Sequence, residues 1–225
     1  MRGFFDYDNK FMQLLSKATD MIILNLLFLL CCIPIVTIGA AQAALYTALR
    51  VMMDPEDDTS LIAAFFRGFK NGFGTITVAF VIMTVLTLLA GFCTFSVIFS
   101  QGENVSIIAV LGLVGVLLCA VLQSLIPVFH SRFRCTLWQL FRNSWLVFLA
   151  NPLRGLLVCI LSWSHVVVFL VNMQVFMMMM PVFLIIYFSV AHWLCRKLIN
   201  KPFAALEKLH TQPQETEDVP AESNQ

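Results

Sequence analysis

The two longest intervals without Lys or Arg lie between Lys70 and Arg132 and between Arg154 and Arg196. Each interval is mostly apolar and long enough to cross a bilayer twice, because about 20 helical residues at ~1.5 Å each cover a hydrocarbon core of about 30 Å. Two membrane hairpins are predicted, with spans over residues 75–99, 105–129, 155–171 and 175–194. Their outer turns fall at Ser100 to Asn104 and at Asn172 to Gln174. Pro127 and Pro181 lie inside spans, where the missing N–H predicts a kink.

The first apolar stretch, Met21 to Leu49, has no charged residue but is interrupted at Pro34 to Gly39, where Pro34, Thr37 and Gly39 predict a helix break. At roughly 43 Å it is too short for two crossings and too long for one straight span. Two readings stand level. In one, residues 21–38 span and Ala40 to Met53 forms a surface helix, leaving Arg2, Lys10 and Lys17 outside. In the other, helices 21–33 and 40–53 form a re-entrant hairpin that keeps all 14 Lys and Arg on one side. At the break, the Thr37 hydroxyl suits freed carbonyls and Gly39 suits a turn. Ala41-Gln42-Ala43 resembles a cleavage site, but the preceding region carries Asp6, Asp8 and Asp20, so no cleavage is expected.

Charge then orients the elements. The positive-inside rule places Arg50 to Lys70, Arg132 to Arg154 and Arg196 to Lys208 together on the cytoplasmic side, with the C-terminus. Between the spans, Leu61, Phe65, Phe69 and Phe73 recur every four residues opposite Arg67, Lys70 and Asn71. Leu137, Trp138, Leu140, Phe141 and Trp145 beside Arg142 repeat the pattern, and Phe11, Leu14, Leu15 and Ala18 give a third case. These predict amphipathic interfacial helices, and Phe65, Phe66, Arg67, Phe69, Lys70, Trp138 and Arg142 form a candidate interfacial or partner surface. The order of interfacial helix then hairpin occurs twice, over 61–129 and 137–194, with slight residue similarity. Composition agrees: 60% hydrophobic and 12% charged, against about 25% charged in soluble domains. The expectation is an all-α, polytopic transmembrane helical bundle over residues 1–205, four clear spans plus the N-terminal span or hairpin, with 206–225 a polar, disordered cytoplasmic tail. The partner is the lipid bilayer of the cell membrane, and nothing points to nucleic acid.

Chemistry is sparse. None of the four clear spans holds Asp, Glu, Lys or Arg, which disfavours a proton-coupled pump. The candidate polar intramembrane residues are Asn25, Gln42, Gln123, His165, Asn172 and His192, each a hydrogen-bonding bridge between helices or part of a site, with Gln174 nearby. The 7 Cys lie largely in apolar runs; only His192 and Cys195, with Met177 to Met180 upstream, offer neighbouring metal ligands, and neither metal nor cofactor is expected. No phosphate-binding glycine loop, zinc-protease His pair or nucleophile elbow occurs, so an enzyme is not expected. Ser106, Ala109, Gly112, Gly115 and Cys119 put small side chains at helical spacing, predicting close helix contact within the chain.

Phe5, Asp8, Asn9 and Phe11, then Asp20, Leu24, Asn25, Cys32, Pro34, Thr37, Gly39, Ala43 and Tyr46, the Phe-rich stretch 65–73 and Asn151-Pro152-Leu153-Arg154 together resemble the YesL family of bacterial membrane proteins. The resemblance covers about residues 4–200 and is most specific in the first 75. Family members are often encoded near carbohydrate uptake and polysaccharide-degradation genes, which implies a non-enzymatic accessory or regulatory role beside a carbohydrate transporter complex. The alternative is a small-solute transporter or channel in its own right. No catalytic residue carries over.

Overall fold

The computed structural model describes residues 10–54, 59–101, 107–133 and 136–211, and these are helical apart from short turns. The helices are α1 (Lys10–Cys31), α2 (Ile38–Met53), α3 (Leu61–Gly72), α4 (Thr75–Gln101), α5 (Ile107–His130), α6 (Leu137–Ala150), α7 (Pro152–Val171), α8 (Met173–Val182) and α9 (Phe188–Thr211). A 3₁₀ turn, Ile35–Thr37, precedes α2, and a π-helical turn, Phe183–Tyr187, joins α8 to α9. The protein is a multi-pass helical membrane protein. Six helical segments are long and apolar enough to cross a membrane, and they include all four expected spans. Leu88, Phe99, Ile107, Leu170 and Val171 are among the many large apolar side chains left exposed, which only lipid accommodates. Asn172 makes the second hairpin turn: its Oδ1 accepts from Gln174 N at 3.0 Å and Val175 N at 3.1 Å, capping α8. Of the expected first outer turn, Ser100 to Asn104, Ser100 belongs to α4 and 102–104 lie outside the described residues, as does the tail 212–225, while α9 continues as helix to Thr211, past residue 205.

The break falls where the sequence puts it, but the reading of Ala40 to Met53 as a surface helix does not hold. α1 starts at Lys10 rather than residue 21, absorbing the Phe11 to Ala18 segment into one helix of 22 residues. α2 is no surface helix: 61% of its membrane window is buried, against 17–22% for the other five candidate spans. Its alanines Ala40, Ala41, Ala43, Ala44 and Ala48 are all essentially inaccessible. Small side chains let α3, α4 and α5 come close, and α2 becomes the axis of the bundle.

Direction follows from side-chain contacts. Asn25 meets Phe183 and Leu184, and three residues later Phe28 stacks on Phe188 at 5.2 Å and on His192 at 5.8 Å. Both helices advance together over this stretch, so α1 runs parallel to α9 there. Phe28 and Tyr46 both pack on His192, at 5.8 and 5.0 Å, so the chain doubles back at the break and α1 and α2 lie side by side. Thr37 supports the interruption: its Oγ1 lies 2.6 Å from Cys31 O and 2.7 Å from Pro34 O, as expected for a hydroxyl serving freed carbonyls. Gly39 serves packing rather than the turn. A Cβ there would sit 2.5 Å from Phe80 Cβ and 2.8 Å from its Cγ, so glycine sets the approach of α2 to α4.

Asn25 handles a second fault in the backbone. After Pro181 the ladder of α8 widens into the π-turn, and the Asn25 side chain fills the gap. Its Nδ2 donates to Leu184 O at 2.7 Å and Phe183 O at 3.2 Å, while its Oδ1 accepts from Ser189 N at 3.1 Å. Around Pro127, by contrast, α5 is continuous.

α3 also differs from the sequence reading. It packs along α2 with Ala64, Phe65, Gly68 and Gly72 buried, so Phe65 is a core residue and Phe69 is half-buried, neither being free surface. Phe66, Arg67, Lys70, Trp138 and Arg142 remain exposed. On α5, Ala109 is buried and a Cβ on Gly112 would strike Thr94, whereas Gly115 faces open space; Ser106 lies outside the described residues. The small stripe is thus an α4 contact over only part of its length.

Two outcomes test this arrangement. Gly39→Ala should lower stability by about 1–3 kcal/mol, an overpacking cost, whereas Gly115→Ala should leave the thermal midpoint in detergent unchanged. In a cysteine-free background, an impermeant thiol reagent that labels Asn172→Cys should also label Gln13→Cys and not Asn143→Cys; labelling of positions 13 and 143 from the same side would overturn the parallel placement of α1.

Candidate functional site

Apolar helices that cross at α2 leave a gap among them. A cavity of about 180 Å³ is lined by Ile38, Gln42 and Tyr46 of α2, Phe80 of α4, Gln123 and Ser124 of α5, Ser162, Trp163, His165 and Val166 of α7, and His192 of α9. Five helices contribute, and the first turn of α2 begins at its wall. Four of the six polar positions singled out in the sequence, Gln42, Gln123, His165 and His192, meet here although they are spread over 150 residues of chain. Asn25 and Asn172 do not: one clamps the π-turn and the other is an exposed cap.

Gln123 and His192 are each fixed by a bond that leaves something over. Gln123 Nε2 donates to Thr84 Oγ1 at 2.8 Å, while its Oε1 is buried without a partner. His192 Nδ1 lies 2.7 Å from Phe188 O; a carbonyl only accepts, so Nδ1 carries the proton and the neutral ring keeps an acceptor at Nε2. The His165 ring stands edge-on to Tyr187 at 6.1 Å and to Phe188 at 5.3 Å, and its Nδ1 sits near the Ser162 backbone without reaching hydrogen-bonding geometry. The Tyr46 ring packs 5.0 Å from His192, and its hydroxyl sits near Ser162 and Cys195 without reaching hydrogen-bonding geometry. Ser162 Oγ lies 3.9 Å from Cys195 Sγ, and Cys195 in turn points its thiol to Val158 O at 3.8 Å.

Buried polar atoms without partners are rare in folded proteins, and each demands an explanation. Among the described residues six such side-chain atoms occur, and three of them, Tyr46 Oη, Gln123 Oε1 and His165 Nδ1, belong to residues of this one cavity. All three atoms are themselves covered by protein, so this unmet polar capacity surrounds the cavity rather than opening into it. Ile38, Phe80, Trp163 and Val166 give the cavity an apolar side, and no Asp, Glu, Lys or Arg lines it. The chemistry therefore fits an uncharged molecule with both hydroxyl or amide groups and a C–H face. An apolar protein cavity of about 150 Å³ takes benzene, so this one fits a solute of similar size or a few waters. His192 and Cys195 are engaged separately with Phe188 O and Val158 O, and among the described residues no group of three metal-ligating side chains occurs.

Tyr46, Ser162 and Ser124 were missed as wall residues. Only Tyr46 carried a signal, a hydroxyl in a run of alanines on the helix after the break.

A family model described as a protein of unknown function, DUF624, matches residues 21–92. The matched stretch holds the second half of α1, the break, α2, α3 and the start of α4, hence Thr37, Gly39, Gln42, Tyr46 and Phe80. No curated protein and no solved structure matches the chain.

Removing an unpartnered hydroxyl should cost nothing. Tyr46→Phe is expected to leave the thermal midpoint of the solute-free protein unchanged or to raise its stability by up to about 1 kcal/mol, since only the desolvation penalty is lost. A fall as large as that of Gly39→Ala would show that the hydroxyl is already engaged.

Proposed function

We propose that the protein binds a small uncharged polar solute, such as a short polyol, in this central cavity and passes it across the membrane as a transporter or channel. The observation that carries the reading is the convergence of Gln42, Gln123, His165 and His192, from four helices, on one cavity without charged lining beside a helix break. Interrupted helices at a midplane site recur in secondary transporters, where unwound backbone and half-helix ends face the substrate. The absence of charge among the lining residues argues for a neutral cargo. By the positive-inside rule the end bearing Arg50, Arg132 and Arg196 is cytoplasmic, in the cell membrane, and the C-terminus lies on that side.

The second reading is the one the family resemblance implies, an accessory partner of a carbohydrate uptake system. It draws support from exposed Phe66, Arg67, Trp138 and Arg142 near the interfacial helices, a surface with aromatic and cationic groups to offer a partner. No enzymatic activity is proposed under either.

Proteoliposomes separate the two. Vesicles holding the full-length protein should take up glycerol or erythritol faster than protein-free vesicles. His165→Phe and Gln123→Leu should cut that excess by about tenfold, the effect of losing about 1.4 kcal/mol of polar contact. If the wild-type protein adds nothing to the passive rate while a sugar transporter subunit co-purifies with it from native membranes, the accessory reading replaces the transporter.

A further inference from the structure

Arg196 and Lys197 adjoin on α9 and part company. Lys197 is exposed, its Nζ 5.2 Å from the Trp193 ring, whereas Arg196 is only 5% exposed. One bond holds the buried guanidinium: Nη1 donates to Tyr46 O at 2.7 Å. The charges that act on it most are Arg132, just past α5, and Arg50, in the last turn of α2, both of its own sign. No carboxylate of the described residues pairs with it. Arg132 is itself anchored, its Nη2 donating to Asn200 Oδ1 on α9, so the C-terminal ends of α2 and α5 and the middle of α9 bring three guanidinium groups to one corner of the bundle.

Burying a cation costs several kcal/mol unless a counter-charge is supplied, and clustering like charges adds to the cost. The carbonyl end of α2 offsets a fraction of one charge. The remaining donors of Arg196 form a planar fork of the shape that takes two phosphate oxygens at once. Basic pockets between membrane helices at this level meet lipid headgroups. We propose that Arg50, Arg132 and Arg196 form a binding site for a phosphate-bearing anion, either the headgroup of an anionic phospholipid or a soluble phosphate. The site is separate from the cavity and does not depend on what the cavity carries. It adjoins the cavity through Tyr46, whose carbonyl takes the Arg196 bond while its ring lines the wall.

The test uses the purified full-length protein in neutral detergent, titrated separately with inorganic phosphate, phosphatidylglycerol and phosphatidylcholine, with the thermal midpoint as readout. Wild-type protein should be stabilised by phosphatidylglycerol and not by phosphatidylcholine. Arg196→Lys, which keeps the charge and loses the fork, and Arg50→Gln, at an exposed position that leaves folding intact, should each weaken the apparent affinity about tenfold, the effect expected for one charge-assisted hydrogen bond. Stabilisation by inorganic phosphate as well supports the site with a soluble anion sufficing; stabilisation by phosphatidylglycerol alone supports it with lipid as the source. If neither anion shifts the midpoint, or if Arg50→Gln responds as the wild type does, the proposal is overturned.

Discussion

Hydrocarbon offers no water to a broken helix, and the architecture of this protein follows from that constraint. Each freed N–H or C=O at membrane depth costs several kcal/mol, so an interruption survives only where another part of the chain serves it. Two interruptions occur. Thr37 closes the one between α1 and α2 from within, through Cys31 O and Pro34 O. Asn25 closes the other from outside, reaching from α1 to the π-turn of the last hairpin. The second solution fixes α1 in register with α9, because three hydrogen bonds specify one depth and one face. Register in turn brings Phe28 to His192 and sets where α2 begins.

From that start α2 descends through the middle of the bundle, which its composition permits. A helix of alanines presents little side chain, so neighbours approach to backbone distance at Gly39 against Phe80 and at Gly68 against Thr47. Close approach on those faces leaves room on the face where Gln42 and Tyr46 project, and there the helices stand apart around the cavity. The packing that holds α2 in place and the void beside it are therefore two aspects of one distribution of side-chain sizes.

Much of this was legible in the sequence. Long uncharged intervals report spans because the penalty for a charge in lipid is large and acts on every residue of the segment, and the Pro34 to Gly39 break was visible because proline and glycine act locally. What escaped notice depends on which neighbours a helix acquires. Phe65 and Phe66 look alike in an amphipathic stretch, yet one is buried under α2 and the other exposed, since α3 turns its small residues inward as well as its rings. Arg196 reads as an interfacial anchor beside Lys197, but a step of about 100° around the helix carries it from surface to interior. The meeting of Gln42, Gln123, His165 and His192 could not be read at all, because polar residues in separate spans carry no record of which faces will pair.

The sites where local rules fail are also the ones with chemistry to spare. The Tyr46 hydroxyl and His165 Nδ1 make no hydrogen bond, the Gln123 amide is half-used, and Arg196 has more charge than its neighbours neutralise. A sequence optimised only for folding would replace such groups with Phe or Leu and gain stability, as apolar substitutes for buried polar groups commonly do. Their concentration around α2, between a helix break on one side and a cationic corner on the other, is what the two proposed binding sites would require. The same backbone carbonyl and ring of Tyr46 face the two regions, so any molecule that changes the hold of Arg196 on α2 acts on a wall of the cavity.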